Sequence, residues 1–157
     1  MAKILTMELE LIVKNEIDIN APASTVWAVL TNPEHTKKYM YGCKTVSDWK
    51  IGSPLLWKGV WEGKEMVAVK GSIIDIQPGS FLAYTTIDPN NPNMPDTPEN
   101  YLTVTYLLSE TNSHTHLIVT QGNYTKVADG EKRYNEAINA GGWKTILDKI
   151  KQIVEEN

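Results

Sequence analysis

The chain is poor in cysteine, phenylalanine, net positive charge and long apolar runs, and each shortage excludes something. Cys43 is the only cysteine in 157 residues, so no internal disulfide can form and a reducing, cytoplasmic location is expected. Lys and Arg number 15 against 19 Asp and Glu, a net charge of −4. Nucleic-acid binding, which draws on clustered basic residues, is therefore not expected. The longest apolar run, Val26 to Leu30, falls far short of the ~20 residues a membrane span needs. Lys3-Ile4-Leu5-Thr6 is too short for the apolar core of a signal peptide. Hydrophobic residues at 41% and charged residues at 22% are those of a folded globular chain. One domain over residues 1–157 is expected, with 1–7 as a loosely ordered N-terminal extension.

What is abundant is indole and phenol: five Trp and seven Tyr beside one Phe. Both carry a polar tip that needs a partner when buried. Ordinary core aromatics and a pocket lined by them are both open from composition.

Residues 9–19 alternate, with Leu9, Leu11, Val13, Ile17 and Ile19 apolar, which predicts a strand with one buried face. Asn20-Ala21-Pro22 ends it, Ser24 can cap a helix carrying Val26, Trp27, Val29 and Leu30, and Pro33 can start a second short helix through Tyr39. Period two returns over 45–49, 55–61, about 65–76, and 81–87, then in a hairpin of 101–108 and 115–121. Gly59 and Gly71 fall inside strand patterns, where glycine marks a bulge or bend. Residues 131–156 show helical periodicity through Tyr134, Ile138, Gly142, Ile146, Ile150 and Ile153. As one helix they would reach roughly 38 Å, with Gly141-Gly142 either breaking it or letting it approach the sheet closely. Pro89, Pro92, Pro95 and Pro98 recur every three residues, the polyproline II pitch. An SH3-type ligand, a proline-stiffened surface loop and a lid over a pocket are the readings of segment 88–99.

This order predicts an α+β fold: a curved antiparallel sheet of about six to seven strands around a long C-terminal helix, with two short helices after the first strand. Strand parity then points Leu55, Trp57, Gly59 and Trp61 inward, with Leu82, Tyr84 and Thr86 beside them. The hairpin adds Val104, Tyr106 and Leu108, then Leu117, Val119 and Gln121, and the helix adds Asn139, Trp143, Ile146 and Leu147. From these, Trp57, Trp61, Tyr84, Thr86, Tyr106, Gln121, Asn139, Trp143 and Leu147 are the candidate ligand-binding residues.

None of these residues is Asp, Glu, His, Lys or Arg. Acid–base catalysis needs a titratable group within reach of the substrate, so no catalytic residue is assigned and binding is favoured over catalysis. A lining of this kind suits a mostly apolar molecule oriented by a few polar contacts. A register slip near 45–49 would turn Asp48 inward, and Glu34 is a second carboxylate to watch. No GxSxG elbow, phosphate-binding glycine loop, dinucleotide fingerprint or paired-cysteine spacing occurs, so no cofactor or metal is expected. His114 and His116 share a strand face without a third ligand, His35 reads as a surface residue, and Cys43 is either an inert buried thiol or a reactive one near the pocket mouth.

Ile17-x-Ile19-x-Ala21-Pro22-x-x-x-Val26-Trp27-x-x-Leu30-Thr31-Asn32-Pro33-Glu34 resembles the N-terminal signature of the START-like, SRPBCC superfamily. Within it, the chain is similar to bacterial single-domain members of the family named after the activator of the ninety-kilodalton heat-shock-protein ATPase. Ile51-Gly52, Gly71-x-Ile73-x-x-Ile76-x-Pro78, Leu82-x-Tyr84, Val104-Thr105-Tyr106, Thr115-x-Leu117 with Gln121-Gly122, and Gly142-Trp143-x-x-x-Leu147 follow in the family's order. The resemblance implies a helix-grip fold with a hydrophobic cavity between sheet and C-terminal helix. Tyr39-Met40-Tyr41, where the family often has tryptophans, and the segment 88–99 depart from its pattern around the entrance. The expected partner is a hydrophobic or aromatic small molecule. A cyclase- or hydratase-like enzyme using Tyr84, Tyr106 or Gln121, a chaperone partner and a homodimer are the alternatives the resemblance leaves open.

Overall fold

A computed structural model of the chain describes residues 10–156; the expected N-terminal extension, 1–7, lies outside them. The alternation at Val13, Ile17 and Ile19 forms strand β1 (Val13–Ile19), with Val13 and Ile19 fully buried. Helices α1 (Ala23–Thr31) and α2 (Pro33–Tyr39) follow. Ser24 does not cap α1. Pro22 occupies that position without a side-chain bond, and the Glu110 carboxylate takes the first helical N–H, from Ala23, at 2.7 Å. That carboxylate also complements the positive end of the helix, so the cap comes from a distant strand. Pro33 does open α2, and the Asn32 side chain accepts from Glu34 N at 2.9 Å.

Strands β2 (Lys44–Ser47), β3 (Pro54–Trp61), β4 (Lys64–Gln77), β5 (Phe81–Thr86), β6 (Leu102–Thr111) and β7 (His114–Gly122) complete one antiparallel sheet. Its order is β1-β7-β6-β5-β4-β3-β2. The final hairpin is tighter than expected, because Asn112 and Ser113 both take positive φ (52° and 63°). That geometry suits a two-residue turn between twisted strands. Curvature enters at register shifts after Trp57 and after Ile73, where an extra residue bends the bulged strand. Gly71 marks a close approach rather than a bulge: a Cβ there would lie 1.6 Å from Thr85 O.

The expected single C-terminal helix is two, α3 (Gly130–Asn139) and α4 (Lys144–Glu155). Both consequences of the glycine pair occur together. Gly141 and Gly142 adopt φ of 92° and 61°, which ends the helix, and Gly142 lies so close to β1 that a Cβ would meet Asn15 Oδ1 at 2.4 Å. Asn15 spans the break, accepting from Trp143 N at 2.9 Å and donating to Gly141 O at 3.3 Å. The helical stripe consequently loses phase, and Ile138 is exposed while Leu147, Ile150 and Val154 are buried.

Segment 88–99 is not a polyproline II rod. Asp88 and Asn91 accept backbone N–H groups two residues on, from Asn90 and Asn93, and these Asx turns fold the chain back on itself. Met94 and Asn100 are buried, Asn100 Oδ1 accepts from Ala128 N at 2.9 Å, and Asp96 joins Lys70 to the Tyr101 hydroxyl. Among the described residues no helix is long and apolar enough to cross a membrane.

Candidate functional site

Between the concave face of the sheet and the α3–α4 break lies a pocket of about 410 Å³. One cross-strand row supplies much of its wall: Tyr84 pairs Val104, Val104 pairs Gln121, and Gln121 pairs Val13, and all four line it. Partners directly opposite in antiparallel strands share a face, so a single rung of the sheet brings Val13 and Gln121, 108 positions apart, together. Trp57 and Trp61 of β3 and Thr86 of β5 continue the wall. The Trp61 ring folds back across Gly59, where a Cβ would sit 2.4 Å from it, so the glycine is what allows the indole to lie there. Gly142, Trp143 and Ile146 close the helical side, with Ala137 of α3.

An aromatic line crosses the sheet toward α4. Trp57 and Tyr84 centroids are 6.1 Å apart, Tyr84 and Tyr106 5.6 Å at 70°, and Tyr106 and Trp143 6.0 Å at 79°; the last two are the edge-to-face geometry aromatic rings favour. Tyr84 and Tyr106 share a hydrogen bond at 2.7 Å between their hydroxyls, and the Trp143 indole N–H donates to Gln121 Oε1 at 2.9 Å. Burial pushes the Tyr84 and Tyr106 hydroxyls up, so both stay protonated near neutrality. Tyr39, also buried, donates to Leu30 O at 3.1 Å and is pushed up by the same desolvation.

Of the nine residues expected at a site, Trp57, Trp61, Tyr84, Thr86, Gln121 and Trp143 line the pocket. Tyr106 and Leu147 are buried behind it, at 0% and 2% exposure. Asn139 is exposed at the end of α3 and lines instead a shallow surface depression with Asp129 and Asn135. The helix phase that would have turned it inward is lost at the glycine break.

Parity reading missed Ala68 and Val69, consecutive residues that both line the pocket. Trp57 pairs Val69 while Lys58 pairs Val67, so Ala68 is the unpaired residue of a bulge and strict alternation cannot hold there. Asn15 was legible in principle: it is the one polar residue in the inward register of β1. Met40, Tyr41 and Cys43 also line the pocket. Cys43 is 4% exposed and burial raises its thiol pKa, the environment of an inert cysteine.

No charged side chain lines the pocket among the described residues. Asp48 is exposed, and Glu34 is held on the surface by Lys37 at 2.6 Å and Lys44 at 3.4 Å. His116 lies on the outer face between Asp18 at 2.7 Å and Glu16 at 3.0 Å, and no group of His, Cys, Asp and Glu side chains among the described residues is arranged to hold a metal ion. His35 is half-buried rather than a surface residue, with its Nδ1 unpartnered.

Residues 20–155 match the family model described as Activator of Hsp90 ATPase homolog 1-like protein. No curated protein matches the chain. Among solved structures, ChR145 from Cytophaga hutchinsonii is 37% identical, with a TM-score of 0.72 over 96% of this chain and 97% of that one. The Aha1 dimer from Colwellia psychrerythraea is 16% identical, with a TM-score of 0.64 over 92% of this chain and 96% of that one. PFC0360w, an HSP90 activator from Plasmodium falciparum, is 16% identical, with a TM-score of 0.66 over the same shares; these last two likenesses are of fold.

Proposed function

This chain belongs to the family of Activator of Hsp90 ATPase homolog 1-like proteins, and from that premise we propose that it binds a hydrophobic or aromatic small molecule in the pocket beneath Trp143, as a carrier or sensor. The observation that carries the reading is a pocket of about 410 Å³ walled by Trp57, Trp61, Tyr84 and Trp143 with no charged side chain. That volume and that mixture of apolar wall with a few fixed polar groups are typical of small-molecule sites. The pocket-lining residues Trp57, Trp61, Tyr84, Thr86, Gln121 and Trp143 are the proposed ligand contacts.

Catalysis by a cyclase- or hydratase-like route is less well supported. Its acid–base step needs a group that titrates near neutrality, whereas the buried tyrosines are pushed upward and Asp48 and Glu34 stay outside. A second copy of this chain, or a chaperone, as partner is a separate proposal for sedimentation and pull-down experiments. Ligand-observed NMR against a library of apolar aromatic and lipid-like compounds tests the binding reading. Saturation transfer to aromatic members, lost on competition within one site, is expected; absence of transfer to every member would overturn it.

A further inference from the structure

The polar groups of the pocket are not neutral in their hydrogen-bonding sense. Gln121 has an amide with an acceptor end and a donor end, and the indole N–H of Trp143 can only donate. It occupies Gln121 Oε1 at 2.9 Å. The amide is therefore oriented, and its Nε2 hydrogens have no protein acceptor among the described residues while the residue lines the pocket.

The tyrosine pair leads to the same result by counting protons. Two hydroxyls share one contact of 2.7 Å, so one O–H proton remains for another acceptor. Both residues are buried, Tyr106 at 0% and Tyr84 at 1% exposure, but only Tyr84 lines the pocket. If Tyr84 donated, the Tyr106 proton would be orphaned in a sealed interior, which is the costly arrangement. Tyr106 donating to Tyr84 avoids this and leaves the free proton of the pair on Tyr84, the member that lines the pocket. Tyr84 and Gln121 lie in the same rung with Val104 between them, roughly 10 Å apart at the backbone, so their side chains can converge on one ligand. Thr86 and Tyr41, the other hydroxyl-bearing residues on the wall, can give or accept.

We infer that the pocket is a donor-lined site selecting an uncharged ligand that carries a hydrogen-bond acceptor, such as a carbonyl oxygen, over both the matching hydrocarbon and the matching carboxylate. This rests on the pocket being a ligand site at all. The hydrocarbon leaves the Gln121 and Tyr84 donors unpaired, and the carboxylate would be buried without a Lys, Arg or His to balance it.

Three tricyclic probes of one skeleton test it: fluorene, 9-fluorenone and fluorene-9-carboxylate, titrated into the full chain by calorimetry. Fluorenone is expected to bind about fivefold tighter than fluorene, the ratio one net hydrogen bond supplies, and the carboxylate is expected to bind weakest. Gln121→Met and, separately, Tyr84→Phe should each bring the fluorenone-to-fluorene affinity ratio down towards one, whatever either change does to the affinity for both probes alike. Fluorene binding as tightly as fluorenone, or the carboxylate matching it, overturns the donor inference and leaves the pocket reading standing. If no probe binds, the pocket reading falls and the inference with it.

Discussion

Gly142→Ala is the substitution whose consequence follows most directly from the structure. The residue has φ of 61°, and a methyl group there would meet Asn15 Oδ1 at 2.4 Å and Val13 Cγ1 at 2.8 Å. The left-handed backbone costs an L-residue about 1–2 kcal/mol. Forcing a methyl into packed surroundings adds about 1–3 kcal/mol, and Asn15 must also yield its bond to Trp143 N. A loss of about 3 kcal/mol is expected, which for a chain of this size lowers Tm by roughly 6–12 °C. Gly141→Ala is the internal control. Its φ is 92°, but the nearest atom to an added methyl is Lys144 Cβ at 3.9 Å, so only the backbone cost of about 1–2 kcal/mol applies. Thermal melts followed by circular dichroism compare the two. If both variants lose the same stability, or Gly142→Ala melts with the unaltered chain, the close approach of the helix break to β1 is not what holds it.

The remaining predictions concern the pocket's support and the outer face. Tyr84→Phe strands the buried Tyr106 hydroxyl and should cost about 1–3 kcal/mol in urea denaturation; the double change with Tyr106→Phe should cost less than Tyr84→Phe alone. Leu147→Ala, at a position 2% exposed and behind the wall, should cost about 2–5 kcal/mol while leaving fluorene affinity unchanged in the folded protein. His116 has its pKa raised, first by the Asp18 carboxylate and also by Glu16, against partial desolvation. A raised folded value stabilises fully below the unfolded pKa and loses that contribution as pH climbs through the folded one. His116→Gln should therefore destabilise near about pH 5.5 and not in alkaline solution. With 36% of the side chain exposed, the effect should stay under about 1 kcal/mol and shrink in high salt. An effect that grew with pH would contradict the assignment.

Strand positions and their facing were readable because period two survives wherever one face is buried, as at Leu55 and Trp57 or Val104 and Tyr106. It failed where the ladder gains a residue: Ala68 has no partner across from it, and nothing local in Val67-Ala68-Val69 announces which residue is extra. Helical phase was likewise readable on each side of Gly141-Gly142 but not across it, which is why Asn139 was assigned to the pocket and Ala137 was not. Helix capping by Glu110 lay beyond local reading, since the partner is 87 residues away. Asn15 was within reach. A lone amide in the apolar register of a strand needs a partner, and two helical glycines leave backbone groups that need one too.

The most direct test of an apolar, uncharged ligand pocket uses the five tryptophans as separate reporters in a ¹⁵N spectrum of the indole N–H groups during titration with 9-fluorenone. Trp57, Trp61 and Trp143 line the pocket and Trp27 and Trp49 do not. Saturable shifts in the first three with the other two stationary are the predicted result; shifts in Trp27 or Trp49 alone, or none at any of the five, would contradict it.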